Sequence, residues 1–126
     1  MLNHRPDRRD LDRRALRRAW AAERAASTAA RSSDDPRLEW YHLERAHVLS
    51  QPMAMVHVRT HWAMLRFGVR ARDGREVAGQ LLRLVVAGPG SLSGHYPEGN
   101  TGGAAISALA VLPLPDDLAP LLRVGS

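Results

Sequence analysis

Glu44 and His47 stand three residues apart, and His57 and His61 stand four apart. On a helix each spacing projects both side chains from one face. Ser50, Gln51 and Pro52 lie between the pairs and make a tight break. A helical hairpin across that break can bring one carboxylate and three imidazoles within reach of a single metal ion. Imidazole with carboxylate suits zinc or cupric copper first, with iron and nickel next. Met53 stands four before His57 and Met64 three after His61, so thioether ligation of cuprous copper is open, although methionine on a helix is more often gap filler. Glu76, on the helix that follows, can add a further carboxylate. The Glu-x-x-His spacing is half of a carboxylate-bridged di-iron pattern. Glu39 and His42 repeat that spacing but share a helix with Glu44 and His47 and point elsewhere, so one metal ion is the better expectation than two.

The composition removes other chemistries. With no cysteine there are no disulfides, thiolate sites or cysteine nucleophiles. No apolar run approaches the roughly 20 residues that span a bilayer, and the arginine-rich start lacks a signal's apolar core, so no membrane association and a cytoplasmic location are expected. All 18 basic residues are arginine and the net charge is +5. Arginine pairs well with phosphate, but here the arginines are spread over several segments without interleaved aromatics. Solvated helix faces are the better reading, and nucleic acid is not expected as a main partner.

The elements that must position the site are helical. At 126 residues and 44% hydrophobic, with Ala and Leu dominant and one Phe, the chain reads as one all-α domain over 1–126. The predicted architecture is a compact bundle of about four helices built from hairpins, near 7–31, 36–50, 52–72 and 74–87. Residues 1–6 are expected to be disordered, 88–103 to form a long Gly/Pro loop, and 104–126 to form an extended Pro-rich tail packed on the bundle. Asp35 and Pro36 are the N-cap and first residue of the second helix, and Asp73 caps the fourth. The first helix is expected to pack by Ala15, Ala19, Ala22, Ala26 and Ala29, with Leu16 and Trp20 beside them. The second packs by Trp40, Leu43, His47 and Ser50; the third by Met55, Val58, His61, Trp62, Leu65 and Val69; the fourth by Val77, Leu81, Leu84 and Val85. Gly88-Pro89-Gly90 is expected to stop the fourth helix, and Asp116 to cap a last helical turn.

Leu43-Glu44-Arg45-Ala46-His47, then His57 with His61-Trp62 and Met64-Leu65, then Arg75-Glu76-Val77 with Gly79-Gln80, and finally Gly99-Asn100-Thr101-Gly102-Gly103 occur in this order. Over about 40–122 this series resembles a bacterial family, domain-of-unknown-function family 3703. The resemblance implies a short helical cytosolic protein and no activity. Function therefore rests on the residues. The leading expectation is a small metal-binding helical protein with a role in metal handling or sensing. The alternatives are an interaction module, with a protein partner or a second copy, in which the His/Glu cluster is structural, and a metal-dependent enzyme. Catalysis is the lesser reading, because no nucleophile, Gly-x-Ser-x-Gly or His-Glu-x-x-His is present.

Overall fold

The structure, a computed structural model, describes residues 7–93 and 113–123, with backbone alone at 10–11, 84–93 and 123. Four long helices follow in order, α1 (Arg8–Ser32), α2 (Pro36–Ser50), α3 (Ala54–Ala71) and α4 (Gly74–Ser93), and a short α5 (Ala119–Arg123) closes the described chain. α1 packs on α2 and α3 on α4, the two pairs meet through α2 and α3, and α5 returns to α1. This is an all-α bundle of two hairpins; no strand occurs among the described residues. No described helix is long and apolar enough to cross a membrane.

The boundaries follow from local chemistry. Asp35 accepts from the Leu38 amide at 3.1 Å, and Pro36 occupies the first turn of α2 where its missing N–H costs nothing. The Met53 amide donates to the Ser50 carbonyl at 2.8 Å, closing a turn over Gln51 and Pro52. Pro52 therefore ends α2, and α3 opens two residues later than the sequence suggests. Arg72, at φ 56°, terminates α3 in the left-handed region, and the Asp73 side chain accepts from the Glu76 amide at 3.0 Å to start α4. α4 does not stop at Gly88-Pro89-Gly90 but continues to Ser93. Proline's fixed φ is helical, so Pro89 costs one backbone hydrogen bond without forbidding the helix. The first six residues of the expected loop are thus helical. Residues 94–103, with the expected disordered 1–6 and the 104–112 and 124–126 parts of the tail, lie outside the described residues.

The buried faces are rotated from the expected ones on three helices. α1 buries Leu16, Ser27 and Ala30, whereas Ala22 and Ala29 are exposed. α3 buries Val56, His57, Thr60, His61, Met64 and Gly68, and turns Met55, Trp62 and Val69 outward. α4 buries Glu76, Gln80 and Arg83, while Leu81 and Leu82 are 53% and 66% exposed. In each case a polar contact with another helix sets the rotation. The Trp20 indole donates to the Thr60 hydroxyl at 2.9 Å, tying α1 to α3, and Gln80 reaches His61. α2 packs as expected, with Leu43, His47 and Ser50 buried and Trp40 half-buried.

Two apolar clusters flank the middle of α2. Leu43, Ala63 and Met64 form one, with the Trp40 and Phe67 rings packed against each other at a tilt of 39°, centroids 4.9 Å apart. Leu16, Val48, Leu49 and Leu118 form the other, joined by Trp20, Met53, Leu114, Leu121 and Leu122. Of the expected tail, the described residues 113–123 meet this cluster, and the Pro115 carbonyl closes the turn before α5 by accepting from Leu118 and Ala119, in place of the Asp116 cap that the sequence suggests. Arg45 fastens it by binding Glu23 of α1 at 2.8 Å and Asp117 of the tail.

Candidate metal centre

His47 lies on α2 between the two apolar clusters, and His57 and His61 occupy the buried face of α3 one turn apart. Their relative exposures are 2, 7 and 3%, so all three imidazoles are withdrawn from solvent. Their Nε2 atoms form a triangle with all three sides 3.1 Å. Among the described residues, these three form the group of metal-ligating side chains compact enough to share an ion.

A relay fixes the proton on one of them. The Gln80 amide nitrogen donates to the Glu76 carboxylate at 2.6 Å, which leaves the Gln80 carbonyl oxygen for His61. His61 Nδ1 lies 2.5 Å from that oxygen and must be the donor. Burial, helped by the nearby Arg83 charge and opposed by the Gln80 hydrogen bond, lowers the His61 pKa to about 4. At neutral pH His61 is therefore neutral, protonated at Nδ1, with the Nε2 lone pair aimed at His47 and His57.

That assignment limits what the triangle can be. A neutral imidazole nitrogen either donates one proton or offers one in-plane lone pair. With His61 Nε2 unprotonated, every placement of protons on neutral His47 and His57 leaves at least one 3.1 Å contact without a hydrogen bond. Three lone pairs converging on a cation leave none. Three nitrogens bonded to one zinc ion at roughly 2.0–2.1 Å would stand about 2.9–3.3 Å apart at octahedral to tetrahedral angles. The 3.1 Å separations fall in that range, so the three imidazoles fit such an ion as they stand.

The other expected ligands are placed differently. Glu44 is half-buried on α2, one turn before His47, and is not a member of the compact group. Burial raises its carboxyl pKa and the nearby Glu76 adds to the rise, while a hydrogen bond with the Trp40 indole works against both. Met53 packs against the Leu16, Val48 and Leu49 cluster, and Met64 lies fully buried with Leu43 and Ala63. Glu76 is buried and acts on His61 through Gln80. Sequence reading missed Gln80 and Arg83 as parts of the site. Their signal is the spacing of Glu76, Gln80 and Arg83 at four and three, a polar stripe running beside the leucines of α4.

A family described as protein of unknown function (DUF3703) matches residues 14–122, which run from within α1 to within α5. No curated protein and no solved structure matches the chain. The chain belongs to the DUF3703 family.

Proposed function

We propose that this member of the DUF3703 family binds one transition-metal ion through His47, His57 and His61 and serves in metal handling or sensing. The observation that carries this reading is the equilateral Nε2 triangle, with His61 held in its metal-ready tautomer by Gln80 and Glu76. Metal-ligating histidines commonly donate their other ring N–H to a fixed acceptor, which sets ring orientation and raises basicity. Zinc and copper are the first candidates, since imidazole donors suit both; nickel and iron follow. Glu44 is the carboxylate of the proposal. Half-buried one turn before His47 and outside the compact group, it is the candidate for a further ligand position. Metal analysis of the purified protein with calorimetry tests this. Stoichiometric binding in the parent, lost in His47→Ala and in His57→Ala with helicity retained, is the expected result. A smaller loss in Glu44→Gln assigns Glu44 a ligand role. Equal metal content in parent and histidine variants removes the site.

A second reading, an interaction module, has its own observation. Met55, Trp62 and Val69 recur every seven residues on the outer face of α3 and are 72, 55 and 59% exposed. Such a stripe suits a second copy of the chain. Sedimentation that gives a dimer in the parent and a monomer in Trp62→Glu supports it; a monomer in both ends it.

A further inference from the structure

On the bundle face formed by α1, α2 and α3, an open cleft of about 70 Å³ is lined by Arg24 and Arg31 of α1 and by Arg66 and Arg70 of α3. Seven residues separate the first two and four the second two, so each pair shares a helix face directed at the same space. One carboxylate faces them, Glu39, which is buried and bound by Arg70 at 2.6 and 3.3 Å. Arg24 leans on the buried Ser27 hydroxyl at 3.4 Å. Among the described residues neither Arg31 nor Arg66 has an ion pair. Leu43 and Ala63, both buried in an apolar cluster, also line the cleft.

This is an unbalanced arrangement. Burial and the charge of Arg66 lower the Arg24 pKa, and Glu39 offsets them in part. With Arg70 already neutralised by Glu39, the guanidiniums of Arg24, Arg31 and Arg66 border one open, mainly polar space, and the half-buried Arg24 is the one whose repulsion water screens least. A bound anion relieves the repulsion and supplies the acceptors that the guanidinium forks are built to meet.

We propose that this cleft is a binding site for a phosphate-type oxyanion, either inorganic phosphate or the phosphate group of a small monoester. Arg24, Arg31 and Arg66 hold the oxygens, Arg70 is kept in place by Glu39, and the Ser27 hydroxyl orients Arg24. The site involves none of the three histidines and does not depend on metal.

The test is calorimetry and thermal unfolding at low ionic strength with chelator present. Inorganic phosphate, a sugar phosphate and a short single-stranded oligonucleotide are the probes, and chloride at matched ionic strength is the control. Saturable phosphate binding is expected, with a rise in Tm that chloride does not reproduce. Affinity falls about tenfold or more in Arg24→Gln and in Arg66→Gln, because each removes a charge-assisted hydrogen bond. It is unchanged in Arg59→Gln, an exposed arginine outside the cleft. A sugar phosphate that binds more tightly than phosphate identifies the monoester as the source; equal affinity identifies the free ion. Arg66 is exposed, so its variant is expected to fold, and relief of repulsion predicts that without phosphate its Tm equals or exceeds the parent's. A lowered Tm in Arg66→Gln without phosphate, the same shift from chloride, equal phosphate affinity in parent and both cleft variants, or an oligonucleotide that binds far more tightly than either phosphate probe overturns the proposal.

Discussion

At the scale of single residues, the centre depends on where one proton sits. Gln80 holds the His61 Nδ1 proton, and Glu76 holds Gln80. In Gln80→Leu the orienting acceptor is gone while the three imidazoles remain. Metal affinity is expected to fall about 10- to 100-fold, the usual cost of losing such an outer partner; calorimetry showing unchanged affinity contradicts the relay. The same burial makes the metal-free fold sensitive to acid. The His61 pKa is lowered from 6.5 to about 4, so between those values the unfolded chain binds a proton that the folded chain does not. The penalty is absent above about pH 6.5, grows as the pH falls, and levels off below about 4, reaching roughly 3 kcal/mol. Urea unfolding across this range, with chelator present, should show the loss, and His61→Gln should flatten it.

At the scale of elements, α4 must lie close enough to α3 for Gln80 to reach His61, and Gly68 permits this. A Cβ at Gly68 would stand 3.3 Å from Val77 Cγ2 and 3.4 Å from the Val77 amide nitrogen, at the first turn of α4. Gly68→Val is expected to push α4 outward, destabilising the protein by about 1–3 kcal/mol and weakening metal binding together. A drop in Tm with intact metal affinity separates the two and contradicts this account of α4. The sequence made the α2–α3 half of this geometry legible. The Asp35-Pro36 start, the break at Gln51-Pro52 and the His57/His61 spacing all act locally. The α4 half was not legible. Apolar periodicity assigns Leu81 to the inside, yet the bundle needs Gln80 there to serve a buried imidazole. The face of α3 was misplaced for the same reason, since His57, Thr60 and Gly68 do not count as core in a hydrophobic pattern but carry its contacts. The run of α4 past Pro89 was hidden because turn-forming residues weaken a helix without excluding it.

At the scale of the whole molecule, the two hairpins meet along α2 and α3, and the tail seals the cluster beside His47. Leu118, 3% exposed, fills the space among Leu16, Val48 and Leu49. Leu118→Ala is expected to cost about 2–5 kcal/mol, measurable by denaturant unfolding. The central claim is that one metal ion joins the hairpins through three imidazoles. X-ray absorption at the metal edge, on protein loaded with one equivalent of zinc, tests it most directly. The account predicts a shell of about three imidazole nitrogens near 2.0 Å, with the outer-ring scattering of imidazole, reduced to two in His57→Ala. A shell of oxygens without imidazole scattering, identical in parent and His57→Ala, contradicts it.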